Sequence, residues 1–262
     1  MQKQKHLIVR SRNISCKPLK EIVVSRPTIF RMGSVTPTNL ITKCKNPIEI
    51  NSVNACRLSG NKILMKKRFK HAKVSIAEWF TLSDHNVQKV DYYLNKWNKI
   101  IIKHKHSSQG NGIYLITNIE EYLNWFYNDC VDIHSYIFER YYPYSKEYRI
   151  HVTKNGYFSA SRKMLKNDAE VRWHRHSNNS VWIKENNPLF DKPSNWDIIV
   201  KDCISALKSL GLDIAAFDVK TQTAKYENPK FIILESNSAP ALGENTLEKY
   251  KQELLMIINE RI

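Results

Sequence analysis

The chain has 262 residues, of which 42% are hydrophobic and 25% are charged, and this composition is typical of a folded globular protein rather than a disordered one. No apolar run approaches the roughly 20 residues that a membrane helix needs, and the N-terminus lacks the features of a signal peptide, so we expect a cytoplasmic protein with no membrane partner. The net charge of +16 favours polyanionic partners such as nucleic acid, a nucleotide or an acidic polypeptide, although an AT-rich genome would also enrich lysine.

The cysteine and histidine patterns argue against zinc and redox chemistry. Five cysteines are scattered singly along the chain with no Cys-x-x-Cys pair, as is typical of reduced thiols in a cytosolic protein. The nine histidines form only loose pairs without a further ligand type at metal spacing. We therefore do not expect a zinc site.

The first half of the chain predicts a small lobe followed by a helix and two strands. Residues 1 to about 60 alternate short apolar runs with turn-rich polar segments, which indicates strands and loops. The stretch SGNKILMKKRFKHA predicts a basic amphipathic helix capped by Ser59 or Asn61. The stretch KIIIKHKHSSQGNGIYLI predicts two strands around a polar turn.

The second half predicts an alternation of strands and helices. Apolar spacing predicts three helices, in IEEYLNWFYND, WDIIVKDCISALKSLG and LEKYKQELLMIINERI. Three strands are predicted in SYIFERYYPYSKEYRIHVTKNGYFSASRKML, and two more form a hairpin from LDIAAFDVK and KFIILESN. The stretch from Lys166 to Pro193 is polar and predicts no element.

The stretch FIILESN places polar side chains at the mouth of a buried strand. Glu235 and Asn237 lie on the same face of any extended chain because side chains alternate along a strand. Asp218 lies on the neighbouring strand of the predicted hairpin. A buried pair of carboxylates would repel without a cation, and carboxylate and amide oxygens suit Mg²⁺. These three residues therefore predict a magnesium site.

The turn in HKHSSQGNGI is a candidate phosphate-binding loop. Its exposed backbone N–H groups could contact a phosphate, and Lys103 at the end of the preceding strand could add a positive charge. Such a turn could equally serve only to connect two strands, and the lysine could serve only solubility at a sheet edge. The turn matches neither a P-loop nor a dinucleotide fingerprint.

The order of these features resembles the ATP-grasp superfamily over roughly residues 55 to 260. The features are Lys62 in SGNK, Lys103 before SSQGNGI, the segment FERYYPYSKEYRIHV, Asp218, and the motif LESN. The chain is most similar to the glutamate-ligase-like members that modify protein or peptide termini and to the ATP-grasp proteins of tailed phages, which RMGSVTPTN also resembles. The resemblance implies an α+β fold in which two antiparallel sheets clasp ATP. It divides the chain into an N-terminal α/β lobe (1–73), a central lobe with a glycine-rich lid (74–140) and a C-terminal lobe with the magnesium site (141–262).

The resemblance also implies roles for individual residues. The residues expected to bind ATP are Lys62 and Lys103 at the phosphates, the lid residues Ser107, Ser108, Gln109, Gly110 and Gly112, the adenine hinge Glu139, Arg140 and Tyr141, and Glu147 at the ribose. Asp218, Glu235 and Asn237 match the ligands of two Mg²⁺ ions, for which Mn²⁺ is an alternative. The cations expected to hold the acyl phosphate and the tetrahedral intermediate are Arg149 or Arg162, together with Arg172.

The activity that the resemblance implies is ADP-forming ligation of a carboxylate to an amine through an acyl phosphate. The positive charge suggests an acidic carboxylate substrate, which could be a peptide, a protein or an acid linked to nucleic acid. Two alternatives stay open from the sequence. One is a nucleic-acid-binding or regulatory protein without ligase activity, and the other is an ATP-dependent phosphotransferase.

Overall fold

The computed structural model describes residues 5–11, 13–39, 44, 46–107, 111–176, 178–223 and 226–262. Within these residues the chain forms fourteen strands and six α-helices, and the strands assemble into sheets of two, three, four and five strands. Most strand pairs are antiparallel. The α+β class predicted from the sequence is confirmed.

The N-terminal segment builds a short parallel sheet that packs on the last helix of the chain. Its strands are β1 (Lys5–His6), β2 (Ile8–Arg10), β3 (Val23–Val24), β4 (Thr28–Arg31) and β5 (Ile48–Ile50). β2, β4 and β5 pair in parallel, β1 pairs with β3, and a 3-10 helix (Ile14–Glu21) connects β2 to β3. The sheet shares its core with Tyr250 and Leu254 of helix α6 (Glu244–Asn259), so both ends of the chain meet in one hydrophobic layer.

Asn51 ties the end of β5 to strand β13 (Ile214–Thr221) of the C-terminal half. This asparagine is fully buried and has a left-handed backbone with φ of 57°. Its Nδ2 donates to the carbonyl of Ile214 at 2.9 Å, and its Oδ1 accepts from the backbone N–H of Asp213 at 2.8 Å. Asparagine tolerates a left-handed backbone better than most residues, so both its backbone and its side chain suit the position.

We expect Asn51→Ala to lower the free energy of unfolding by about 2–4 kcal/mol, because buried backbone groups lose their partners and alanine is strained in the left-handed region. Urea denaturation followed by circular dichroism measures the change. The matched control is Asn46→Ala, because Asn46 has a similar φ of 52° but is exposed. Equal losses in the two variants would contradict an anchoring role for the Asn51 side chain.

Two short helices lead from the parallel sheet towards the centre of the molecule, α1 (Val53–Ser59) and α2 (Lys62–His71). Asn61 caps α2, because its side chain accepts backbone N–H bonds from the first turn. Of the two caps predicted for this helix, Asn61 is the one observed, and Ser59 is instead the last residue of α1. Met65 on the inner side of α2 belongs to the core of the C-terminal sheet.

A four-stranded antiparallel sheet occupies the middle of the chain. Its strands are β6 (Trp79–Phe80), β7 (Ile100–His104), β8 (Ile113–Ile116) and β9 (Tyr136–Arg140), in the order β6-β9-β7-β8. Helices α3 (Val87–Trp97) and α4 (Ile119–Asn128) contribute to an aromatic core on one face of this sheet. Lys103 and Glu139 alternate with core residues and therefore lie on the opposite face. The predicted strand pair around the polar turn is confirmed as β7 and β8.

The C-terminal half forms a five-stranded antiparallel sheet with one apolar and one polar face. Its strands, in the order β12-β11-β10-β13-β14, are β10 (Lys146–Thr153), β11 (Gly156–Leu165), β12 (Ser180–Lys184), β13 and β14 (Phe231–Asn237). The apolar face packs on α5 (Trp196–Leu210). β12 lies in the polar stretch for which the sequence predicted no element, because this edge strand is mostly exposed and has no run of buried apolar residues.

The three main sheets lie within residues 8–50, 79–140 and 146–237. The boundaries predicted at residues 73 and 140 separate these sheets, but α2 packs with the C-terminal sheet, so the division into three lobes stays a prediction. None of the described helices is long and apolar enough to cross a membrane.

Candidate functional site

The polar face of the C-terminal sheet brings the predicted magnesium ligands together. Asp218 of β13 lies directly opposite Glu235 of β14, and the predicted antiparallel pairing of the two strands is confirmed. Asn237 Nδ2 donates to Asp218 Oδ2 at 3.2 Å. Asp218 is buried, whereas the side chain of Glu235 is 33% exposed. Two carboxylates and an amide therefore meet at one end of the sheet.

Arg149 of β10 neutralises Asp218. Its Nε and Nη2 donate to the two carboxylate oxygens at 2.7 and 2.8 Å, the planar two-bond geometry that arginine forms best. Burial alone would raise the pKa of Asp218, but Arg149 outweighs burial and holds this pKa below its ordinary value. The ring of Trp182 lies 4.8 Å from the Arg149 guanidinium. Arg149, predicted to hold the acyl phosphate, therefore binds the carboxylate of Asp218, a predicted magnesium ligand.

The chemistry of the three predicted ligands fits a magnesium ion. Among the described residues, no three or more His, Cys, Asp and Glu side chains form a metal-binding group. The donor set is instead two carboxylates and one amide, which suits an ion that keeps several waters and binds substrate phosphates. Asp218 Oδ1 has a second lone pair beside the one that Arg149 uses, whereas the second lone pair of Oδ2 accepts from Asn237 until that amide turns. Asn237 would complete the set by turning its amide oxygen inward.

Lys62 links these carboxylates to the predicted lid. It is the first residue of α2, and its Nζ lies 3.6 Å from Glu235 Oε2 and donates to the carbonyl of Ser107. Ser107 Oγ donates to the carbonyl of His104 at 2.9 Å, and Gly112 has a φ of 62°, which favours glycine. The other predicted lid residues, Ser108, Gln109 and Gly110, lie outside the described residues.

Two lysines share one buried carboxylate on the central sheet. Lys103 Nζ lies 2.8 Å from Glu139 Oε2, and Lys66 Nζ lies 3.3 Å from Glu139 Oε1. Burial would raise the pKa of Glu139, but Lys103 and Lys66 lower it to about 2. Burial lowers the pKa of Lys66, whose side chain is fully enclosed. Lys103, the predicted phosphate contact, is therefore held by the side chain of a predicted hinge residue.

The predicted hinge borders a cleft of 680 Å³ that lies between residues 140–144 and the start of β14 and has three tyrosines in its wall. The backbone N–H groups of Arg140 and Tyr141 donate to the carbonyls of Glu78 and Lys99 at 2.8 and 3.1 Å. A base in this cleft would therefore use the other backbone groups of residues 140–144.

Glu147 is buried among cations rather than open to a ribose. It is 5% exposed, and its carboxylate lies 3.7 Å from Lys163 Nζ and 3.5 Å from Arg175 Nη1. Lys220 lies directly opposite Glu147 on β13, with its Nζ 5.5 Å from the centre of the Tyr141 ring. Burial lowers the pKa of Lys220 to about 8 despite the nearby carboxylate of Glu147. The ribose role of Glu147 would require these cations to release it and stays a prediction.

The fold matches known structures, and the comparisons by sequence gave no match. No protein-family model and no curated protein matches the chain. D-alanyl-alanine synthetase A from Vibrio cholerae O1 biovar eltor matches with a TM-score of 0.69 and 10% identity, over 92% of this chain and 78% of that chain. The ATP-grasp ligase PsnB complexed with minimal precursor matches with a TM-score of 0.66 and 11% identity, over 99% of both chains. The protein has the ATP-grasp fold.

A further similar structure is a complex with ATP. D-alanine–D-alanine ligase from Bacillus anthracis complexed with ATP matches with a TM-score of 0.64 and 13% identity, over 89% of this chain and 78% of that chain. At such identities the likeness concerns the architecture. The resemblance that the sequence motifs indicated is confirmed at this level.

The ATP-grasp fold does not bring Arg162 to the carboxylates of Asp218 and Glu235. Side chains alternate along β11, so Arg162 lies on the apolar face of the sheet while Lys163 lies on the polar face. There Arg162 Nη1 lies 2.6 Å from Asp191 Oδ1 and donates to the carbonyl of Leu189 at 2.8 Å. Arg172 is exposed in the segment between β11 and β12.

The sequence analysis missed five residues that lie among the predicted site residues, namely Lys66, Lys163, Arg175, Trp182 and Lys220. Lys220 carried a readable signal, because it follows Asp218 by two positions and alternation places both on one face. Lys66 also carried a signal, because it follows Lys62 by one helical turn. The other three depend on the hairpin of β11 and β12, which the sequence did not reveal.

His151 makes the polar face of the ATP-grasp sheet sensitive to acid. It is buried, and its Nδ1 lies 3.2 Å from the Tyr250 hydroxyl. Burial and then Arg149 lower the pKa of His151 to about 3. Because the folded pKa lies below the unfolded one, the unfolded chain binds more protons, and stability falls as the pH drops from about 6.5 towards 3.

We expect the wild type to lose about 1 kcal/mol more stability than His151→Gln between about pH 7 and about pH 5.5, because only the wild type carries the buried imidazole. Urea denaturation at both pH values measures the two losses, and the other titrating groups are common to both proteins. Equal losses would contradict an imidazole that is kept neutral in the folded state.

Proposed function

We propose that this protein is an ATP- and Mg²⁺-dependent ligase that joins a carboxylate to an amine through an acyl phosphate. The observation that carries this function is the position of α2 between the two sheets. Lys62 of α2 lies 3.6 Å from Glu235 on one sheet, and Lys66 of the same helix lies 3.3 Å from Glu139, beside Lys103, on the other. Predicted magnesium ligands on one sheet and Lys103 on the other, bridged by the lysines of one helix, suit a triphosphate with its cation.

An excess of positive charge among the candidate site residues supports a polyanionic ligand. The carboxylates among the described residues of the candidate site are Glu139, Glu147, Asp218 and Glu235. The cationic side chains around them are Lys62, Lys66, Lys103, Arg149, Lys163, Arg175 and Lys220. Buried cations that outnumber their counter-ions are costly, and the triphosphate of ATP would neutralise them.

In the proposed reaction the side chains of the candidate site mainly bind and orient ATP and the substrates. Lys62 and Lys103 hold phosphate oxygens, and the adenine lies against residues 140–144. Asp218, Glu235 and Asn237 would hold two Mg²⁺ ions, or Mn²⁺, which neutralise charge on the transferring phosphoryl group. Such catalysis depends on positioning and requires no nucleophile from the protein.

The chemistry proceeds in two displacements. An oxygen of the substrate carboxylate attacks the γ-phosphorus, the bond to the ADP oxygen breaks, and an acyl phosphate forms. The amine then attacks the acyl carbon, phosphate leaves, and the nitrogen loses a proton to give an amide. Arg149 and Arg172 are the cations that we assign to the oxyanion of the second displacement.

The net charge of +16 supports an acidic carboxylate substrate, which a positive field attracts and concentrates. A peptide or protein that carries several carboxylates combines this charge with the reactive group. The amine acceptor would enter the same cleft from the side of Arg172, where the chain is exposed.

Transfer of labelled oxygen tests this function. The protein is incubated with ATP, Mg²⁺, amines and acidic peptides whose carboxylates carry ¹⁸O, and the released phosphate is analysed by mass spectrometry. We expect ¹⁸O in the phosphate, because collapse of an acyl phosphate leaves a carboxylate oxygen on phosphorus. ADP release without label would favour the phosphotransferase alternative. Salt-sensitive binding of nucleic acid without ADP release would favour the nucleic-acid-binding alternative.

A further inference from the structure

Lys66 is a fully enclosed cation with an incomplete set of partners. Its side chain has 0% exposure, and its Nζ has no hydrogen-bond partner among the described residues. The Glu139 Oε1 atom, 3.3 Å away, also lacks a hydrogen-bond partner there. An ammonium in this state destabilises a fold, whereas a methionine of similar length would fill the space without that cost. The charge at this position therefore has no evident structural purpose.

Glu139 cannot neutralise both of the lysines that it contacts. Lys103 Nζ is the nearer cation at 2.8 Å, and the Lys103 side chain keeps 13% exposure. Lys66 contacts the other carboxylate oxygen from the buried side. One carboxylate and two ammoniums leave a surplus of positive charge, and of the two cations only Lys103 is open to the solvent of the cleft.

We propose that Lys66 is a positioning residue that frees Lys103 to contact a phosphate. When Lys103 turns from Glu139 to an anion, Lys66 remains as the counter-ion of the buried carboxylate. Without Lys66, the same movement would leave Glu139 buried and unpaired, so Lys103 would stay bound to it. This role rests on the proposed function, because the anion that Lys103 meets is the triphosphate of ATP.

The contacts of α2 hold Lys66 in place relative to both sheets. Lys62 and Lys66 are four residues apart and therefore lie on the same side of the helix. Lys62 reaches Glu235 at 3.6 Å, while Met65 Sδ, one residue before Lys66, accepts from the backbone N–H of Ser236 at 3.3 Å. The helix is thus fixed on the C-terminal sheet while it presents Lys66 to the central sheet.

Calorimetric titration with a non-hydrolysable Mg-ATP analogue tests the role in four variants. We expect Lys66→Met to weaken binding about tenfold or more, because Lys103 stays paired with Glu139. The double variant Lys66→Met/Glu139→Gln should bind within about threefold of the wild type, since no buried carboxylate then competes for Lys103. Lys67→Met removes an equal but exposed charge from the same helix and should change affinity less than about twofold. Glu139→Gln alone completes the double-mutant cycle.

Thermal unfolding without ligand separates positioning from structural support. A positioning role predicts that Lys66→Met keeps or raises the melting temperature while it loses affinity. A large loss of melting temperature, failure of Lys66→Met to fold, or binding equal to that of Lys67→Met would overturn the role. A double variant as weak as Lys66→Met would also overturn it. If the wild type does not bind the analogue, the proposed function fails and this role fails with it.

Discussion

Glu235→Gln is expected to lower ATP turnover about 100-fold or more while the protein keeps its fold. The carboxylate is 33% exposed, and its ion pair with Lys62 is long, at 3.6 Å. Loss of such a pair costs less than about 1 kcal/mol, so stability should change little. Glutamine keeps the shape of the side chain but removes the negative charge of a proposed magnesium ligand. A loss of turnover would therefore reflect the loss of that charge. A coupled assay of ADP release measures turnover, and thermal unfolding measures stability.

The matched control for this substitution is Glu227→Gln. Glu227 lies in the connection between β13 and β14, on the same hairpin as Glu235, and is exposed. We expect its turnover to equal that of the wild type. Full turnover in Glu235→Gln would exclude Glu235 as a magnesium ligand, and equal losses in both variants would point to a disturbed hairpin.

Arg149→Met is expected to lower the free energy of unfolding by about 3–5 kcal/mol and to abolish turnover, because it leaves a buried carboxylate without its counter-ion. Both oxygens of Asp218 accept from Arg149, at 2.7 and 2.8 Å, and Asp218 is only 5% exposed. The cation–π contact with Trp182 at 4.8 Å is lost as well. Chemical denaturation measures the loss of stability.

The double variant Arg149→Met/Asp218→Asn separates the two consequences. Removing both charges leaves no unpaired carboxylate, so we expect most of the lost stability to return. Turnover should stay absent, because a proposed magnesium ligand is then missing too. A double variant no more stable than Arg149→Met would show that the loss of stability comes from packing around the arginine rather than from the unpaired carboxylate of Asp218.

The candidate metal site was predictable from the sequence because strand geometry is rigid. Alternation fixes Glu235 and Asn237 on one face, and a hairpin connection makes the strand of Asp218 an antiparallel neighbour. The structure places Asp218 directly opposite Glu235, a register that these two rules allow but do not fix. The ATP-grasp fold followed from the order of such motifs along the chain.

The electrostatic environment of the site was not predictable in the same way. The enclosure of Lys66 depends on how its own helix, α2, packs near β9, which is far away in the sequence. No local sequence pattern indicates such packing. Arg162 was predicted at the site because its basic character matched a family pattern. The alternation of side chains along β11 instead places it on the apolar face of the sheet. Lys163 and Arg175 beside Glu147 depend on the hairpin of β11 and β12, whose second strand lies in a polar stretch without a run of buried apolar residues.

Calorimetric titration of the wild type with ATP, in the presence of Mg²⁺ and again with the metal chelated, tests most directly whether this cleft is a nucleotide site. We expect saturable binding that requires Mg²⁺, and a matching thermal stabilisation of about 2.7 kcal/mol when the ligand is at about 100 times its dissociation constant. Binding that is absent in both conditions, or that is unaffected by removal of the metal, would contradict an ATP site built on Asp218, Glu235 and Asn237.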